Sequence, residues 1–351
     1  MMMDEEAGIA SLSCGSCVAR RRTPTRTVQG RHAATSTRVR ERYLTMASPE
    51  CHPDALGVAA HSTCPDSRWH TRVAPLLASP SMVMLNIGAN KGFNLLEFAQ
   101  RYSALDANLT HPTWYSKLIE NGCQMQCCGV CRLCKARRIP QQASATLKLH
   151  AFELQPANAK LLRRMMAATG LPVTVHSTAV SNFTGTVYTA STVVAGSESH
   201  GLVHNKRKND VEQPVTTVDA FMQTNRIEHV HLVSIDTEGE DPLVIKGMAQ
   251  GLAAKSIDVI EFEYNRRWKT VMQNPRPVGP FIEWMRQHGY YCFWQGNSGA
   301  LAQMSAPCYL EETRNRFGFA RSNAVCSHRG DIIAAFRACK RGSTCASHSL
   351  G

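Results

Sequence analysis

The stretch HLVSIDTEGEDPLVIKG, residues 231–247, sets an apolar run from Leu232 to Ile235 against four carboxylates between Asp236 and Asp241. Such groups can take a proton, orient a hydroxyl or hold a cation. In an open parallel sheet, ligands lie beyond the carboxyl ends of strands, where Asp236 and Glu238 fall. Glu240 and Asp241 instead open the following helix, whose positive end favours acids. A third acid, Glu153, ends the apolar run Leu147 to Phe152 in LKLHAFELQPANAKLL. Its paired oxygens can accept both hydroxyls of a ribose, with a salt-bridging surface acid as the alternative. Upstream, LNIGANKGFNLL places Gly88 and Gly92 around Asn90. Glycines let the backbone turn tightly against a bound group, and free N–H groups at a helix start favour a carboxylate or phosphate. The middle glycine of G-x-G-x-x-G is missing, which disfavours a dinucleotide and leaves open either another nucleoside-containing ligand or an ordinary strand-to-helix turn. His200 and His204 are further acid–base candidates or plain solvated histidines in a polar, aperiodic stretch near residues 191–214 that reads as a mobile loop over a site.

Five of the 14 cysteines lie between Cys123 and Cys134, in CQMQCCGVCRLCKARR. Cys128, Cys131 and Cys134, with Cys123 or Cys127, offer four thiolates for a tetrahedral structural zinc. An iron–sulfur group or reduced thiols without metal remain alternatives. No secretory signal is visible, so a disulfide framework explains the cysteines poorly.

The elements that position these groups alternate between strand and helix. Met82 to Ile87 reads as a buried strand, followed by a helix carrying Phe93, Leu96 and Phe98. Leu147 to Phe152 and a helix from Pro156 follow; Glu153 lies 61 residues after Gly92 where roughly 20 is usual, so about forty residues are inserted between the first helix and this second strand. LPVTVHSTAV, GTVYTA, Val230 to Ile235 and Ile257 to Phe262 supply further strands, and Glu261, Glu263, Tyr264 and Asn265 are placed to line the same cleft. Tyr290 to Trp294 and Ala300 to Met304 then form a hairpin. The pattern predicts an α/β fold, with a mostly parallel sheet ended by an antiparallel hairpin. Residues 1–75 read as a poorly structured extension, 80–310 as the folded domain with a Cys-rich insert at about 103–145, and 311–351 as a second extension.

The 351-residue chain carries a formal charge of +12, spread between 39 basic and 27 acidic residues rather than gathered in a stripe, which disfavours nucleic acid as partner. There is no run of 18 apolar residues, hence no expected transmembrane segment. The segment from Arg20 to Arg42 has the composition of an organelle-targeting peptide, while Asp4, Glu5 and Glu6 count against it. The expected location is cytoplasmic, with organellar as the alternative.

The blocks LNIGANKGFNLLEFA, LHAFELQPANAKLL, STAVSNFTGTVYT and VTTVDAFM through HLVSIDTEGEDPLVIKGMAQGLAAKSIDVIEFE resemble the FkbM family of methyltransferases. The resemblance covers about Ser81 to Gln295 and is most specific in the last block. It implies a Rossmann-like class I fold with a seven-stranded sheet, S-adenosylmethionine as cofactor, and methyl transfer to an oxygen of a small-molecule or glycan acceptor. By the same resemblance, Gly88, Asn90 and Gly92 surround the methionine part, Glu153 holds the ribose hydroxyls, Val180 and Ser181 lie near the adenine, and Asp236 lies at the transfer centre with Glu238 beside it. Asn86 stands where the family usually has an acid. The rival readings are a catalytically silent Rossmann-like binding protein and an NAD-dependent dehydrogenase.

Overall fold

In the computed structural model, residues 67–103, 109–124, 146–198, 206, 208–296, 299–308 and 321–339 are described. The apolar runs that mark strands in the sequence become the middle of one eight-stranded sheet. In chain order its strands are β1 (Ser81–Ile87), β2 (Thr146–Phe152), β3 (Val173–His176), β7 (Val230–Ile235), β8 (Ile257–Asn265), β9 (Tyr291–Gln295), β10 (Leu301–Gln303) and β11 (Arg321–Ser327). Their spatial order is β10-β9-β11-β8-β7-β1-β2-β3. The pairs β3–β2–β1–β7–β8 are all parallel, and β8, near the middle, is buried along all nine residues, as a parallel strand covered on both faces must be. A separate three-stranded sheet is built from β4 (Ala179–Val180), β5 (Gly185–Ala190) and β6 (Asp210–Thr216), with β6 in the middle.

Ten helices among the described residues cover the sheet: α1 (His70–Leu77), α2 (Phe93–Tyr102), α3 (His111–Glu120), α4 (Pro156–Thr169), α5 (Val218–Thr224), α6 (Asp241–Lys246), α7 (Ala249–Ala253), α8 (Trp268–Val271), α9 (Val278–Gln287) and α10 (Gly330–Ala338). Alternation along the strands divides the core in two. Leu85, Val233, Ile260 and Cys292 face α5, α6 and α9, whereas Met84, Leu232, Val259 and Phe293 face α1, α2, α4 and α10. Among the described residues no helix is long and apolar enough to cross a membrane.

The mostly parallel α/β sheet and the β9–β10 hairpin agree with the sequence reading, but the end of the sheet is assembled differently. Strand β11, from residues read as an extension, enters between β8 and β9 and runs antiparallel to both, so the sheet has eight strands instead of seven. Helix α1, which begins within the expected N-terminal extension, packs against α10. Within the expected insert, α3 buries Trp114, whose Nε1–H donates to the Lys91 carbonyl at 2.9 Å. Three cysteines outside the 123–134 patch are in disulfides, although the sequence makes a disulfide framework a poor explanation of the cysteines. Cys292 and Cys326, opposite each other on β9 and β11, are joined by a disulfide, and Cys308 is disulfide-bonded too.

Candidate active site

The carboxyl ends of β1, β2, β7 and β8 bring the glycine turn and the acids together. Gly88 has φ +82°, and a β-carbon there would lie 1.9 Å from the Asp236 carbonyl oxygen. Only glycine lets these two backbones pass so closely. The Asp236 N–H donates to the Ile87 carbonyl at 2.9 Å, while Gly88 and Ala89 donate to the Phe152 carbonyl at 2.9 and 3.0 Å. At Gly92, φ +76°, a β-carbon would be squeezed between the side chains of Leu162 and Trp114, each 3.0 Å away. Asn90, between the glycines, is itself left-handed, a conformation that asparagine tolerates better than most residues.

Glu153 follows β2 and is 5% exposed. One carboxylate oxygen accepts the Asn90 N–H and the other the Gln155 N–H, both at 2.8 Å. The acid thus holds the glycine turn in place, and each oxygen keeps lone-pair capacity for another donor. Burial raises its pKa to about 6, against the lowering effect of the Gln155 and Asn90 amides and the Asn158 side chain.

Past β7 the four carboxylates divide. Asp236 is exposed at the strand end and close enough to raise the pKa values of Glu153 and Asp241. Glu238 takes a left-handed φ of +58°, with its carbonyl accepting from Arg267 Nη1 at 2.9 Å and its carboxylate 3.8 Å from the same guanidinium. Asp241 does more than favour a helix start. Its Oδ2 accepts from Thr237 Oγ1 at 3.0 Å and the Gly239 N–H at 3.2 Å, and its Oδ1 accepts from the Glu263 N–H at 3.1 Å. It therefore ties the β7–α6 turn to β8. Complete burial, then the nearby Asp236, pushes its pKa up to about 8. Glu240 is buried at the helix start.

A polar rung crosses the sheet beside these acids. Asn86 on β1 pairs in register with Ser234 on β7, which pairs with Glu261 on β8. Glu261 accepts from Gln295 Nε2 at 2.8 Å, and burial raises its pKa to about 7. The Asn86 side-chain oxygen is buried without a hydrogen-bond partner among the described residues. Glu263 accepts from Asn265 Nδ2 at 2.7 Å. Tyr264 was expected at the cleft but faces the opposite core and packs on Trp268, because pleat parity turns it away from Glu263.

Val180 sits in the core with Phe152 and Phe221. Ser181 is fully buried, donates its N–H to the Thr216 carbonyl at 2.9 Å, and presses its own carbonyl against Gly247, where a β-carbon would lie 2.1 Å from that oxygen. Cys123 is buried just after α3, its N–H donating to the Leu118 carbonyl at 2.9 Å. Cys128, Cys131, Cys134, His200 and His204 lie outside the described residues, and among the described residues no group of three or more His, Cys, Asp or Glu could hold a metal ion. Sequence reasoning missed Asn158 and Ser197, which both reach the Glu153 region. In PANAKLL, Asn158 looks like any first-turn helical residue.

No curated protein sequence matches this chain. The crystal structure of Methyltransferase FkbM from Methylobacillus flagellatus KT is similar with 9% sequence identity and a TM-score of 0.35, too loose a likeness to add to the fold described above. That alignment covers 78% of this chain and 58% of the other, so this chain spans less than two thirds of that protein's length. Residues 128–292 match the Methyltransferase FkbM domain family, a span that includes Glu153, Asp236 and Glu238. Over that span, a little under half of the chain, the sequence is similar to that methyltransferase family.

Proposed function

We propose that the protein transfers a methyl group from S-adenosylmethionine to a hydroxyl oxygen of a sugar or other small metabolite. The observation that carries this reading is Glu153, a buried acid beyond β2 that holds the Asn90 N–H of the glycine turn at 2.8 Å. The surrounding groups suit such a cofactor. Gly88 leaves no room for a side chain, and the side-chain oxygens of Asn86 and Asn90 make no hydrogen bond among the described residues. Each Glu153 oxygen can accept once more. Glu153 would hold the ribose hydroxyls, Gly88, Asn90 and Gly92 the methionine end, and Val180 and Ser181 the side toward the adenine. When bound, the cofactor supplies an electrophilic sulfonium methyl group.

The protein's own task is to hold the acceptor oxygen in line and take its proton. Asp236, exposed at the end of β7, takes that role first. Glu238 stands beside it, with its carboxylate 3.8 Å from Arg267. Calorimetric titration with S-adenosylmethionine, its demethylated product and NAD tests the assignment. Both sulfur compounds should bind and NAD should not, and failure of both to bind would overturn it. A labelled-methyl screen over cell extracts, read by mass spectrometry, then identifies the acceptor. Structural zinc on Cys123, Cys128, Cys131 and Cys134 also belongs to this reading, and absence of stoichiometric metal in reduced, freshly purified protein removes it.

A further inference from the structure

Nineteen residues, 191–209, separate β5 from β6, a length at which a connection usually has a task of its own. Part of it returns to the glycine turn. The Ser197 carbonyl accepts from Asn90 Nδ2 at 2.9 Å and from Asn158 Nδ2 at 3.1 Å. Asn158 Oδ1 accepts the Gly196 N–H at 2.7 Å, and the Asn158 side chain lies close enough to Glu153 to favour the ionised acid. Glu153 in turn accepts the Asn90 N–H. Asn90, Ser197, Asn158 and Glu153 thus form a ring drawn from the glycine turn, the 195–198 segment, the first turn of α4 and the end of β2, with three sides hydrogen-bonded and the fourth set by the nearness of Asn158 to Glu153. Two outer ties hold the segment in place: the Gln124 N–H donates to the Ala195 carbonyl at 2.9 Å, and Lys91, 2% exposed, pairs with Glu198 at 2.5 Å.

Asn158 is 1% exposed and spends its amide on the ring, both as donor and as acceptor. Beside it, Gln155 is 2% exposed, and among the described residues neither of its side-chain polar atoms is hydrogen-bonded. A buried amide costs free energy unless some group meets it, which marks this wall of the cleft as one that takes a polar ligand.

We propose that Ala195–Glu198 is a clamp over the cofactor cleft and that Asn158 is its positioning residue, acting through Glu153 and Ser197. The inference rests on the methyltransferase reading above. Asn158 orients the Glu153 carboxylate toward the ribose hydroxyls and fixes the clamp, so binding the cofactor tightens the ring and the ring slows its release.

Calorimetry with S-adenosylmethionine and its demethylated product, hydrogen exchange at residues 195–198, and steady-state kinetics on the full chain test this. Asn158→Ala should weaken both ligands about tenfold, as expected for losing one or two buried hydrogen bonds. It should raise KM for the cofactor while leaving kcat at saturation within about twofold, and abolish the ligand-induced protection of 195–198 seen in the parent. Should Asn158→Ala fail to fold, Glu198→Gln, which weakens only the outer tie, should raise both Kd values about threefold with the same split between KM and kcat. Unchanged Kd in a folded variant, or a loss confined to kcat, overturns the clamp while leaving the methyltransferase reading intact. A parent protein that binds neither ligand overturns that reading and the clamp with it.

Discussion

The carbonyl oxygen of Asp236 lies 1.9 Å from the point that a β-carbon on Gly88 would occupy, so the glycine turn and the acid turn touch backbone to backbone. Both strands feeding these turns are held in register through Ile87 and Ile235, leaving neither backbone free to retreat. Gly88→Ala would face this clash and an unfavourable φ of +82° together. It should cost about 2–4 kcal/mol of stability and weaken S-adenosylmethionine binding, measured by urea denaturation and calorimetry. A variant as stable as the parent, with the same affinity, would show that the two turns are not locked together.

The Glu153 carboxyl is pushed up to about 6 by burial. Ribose hydroxyls arrive as donors, and the ionised form has the greater capacity to accept them. Cofactor affinity should therefore hold from pH 8 to 7 and fall as pH drops through about 6. Because the folded pKa is raised, the same group adds stability that is complete below the ordinary carboxylate range and is lost as pH rises through about 6. Stability and affinity should thus move in opposite directions across that window. Glu153→Gln should bind weakly at every pH and flatten both profiles, as followed by calorimetry and thermal melts between pH 5 and 8.

Much of the central sheet was legible because strands buried on both faces write long apolar runs, as MVMLNI and VHLVSI do, and because Gly88 and Asp236 follow such runs directly. Strand β11 was not. Its run RSNAVCS is short and mostly small, and its partners on β8 and β9 lie tens of residues away, so its place is set by tertiary pairing. The acids at the strand ends were visible as acids, but their division was hidden. Asp241 reads as a helix-start residue until the Glu263 N–H is found donating to it. Asn158 and Ser197 were invisible for the same reason: a polar residue in a first turn and a serine in a loop carry no periodicity, and only folding brings them to Glu153.

Cys292 and Cys326 illustrate the same limit, since only the β9–β11 register sets them face to face. The bond closes a loop of 34 residues. On the chain-entropy account such a link stabilises by roughly 3–4 kcal/mol. Cys292→Ser should lower stability by about that amount in oxidised protein and much less relative to a reduced parent, with peptide mapping under non-reducing conditions identifying the bond. A parent whose two thiols both react with alkylating agent after unfolding without reductant would contradict the pairing.

Asp236 is exposed at the strand end, while Asp241 and Glu153 near it are buried and engaged with backbone donors. Among these three, Asp236 has the access to meet an acceptor hydroxyl. Asp236→Asn keeps the shape of the side chain and removes its ability to take a proton at neutral pH. It should leave the Kd for S-adenosylmethionine within about threefold of the parent and lower kcat by about a hundredfold or more once an acceptor is identified. Removing the negative charge should also lower the pKa of Glu153, because Asp236 raises it, so the acid limb of the binding profile should shift to lower pH. That shift is readable by calorimetry without any acceptor. Unchanged kcat in Asp236→Asn would move the proton-accepting role to Glu238, and an unshifted binding profile would place Asp236 too far from Glu153 to share a cleft with it.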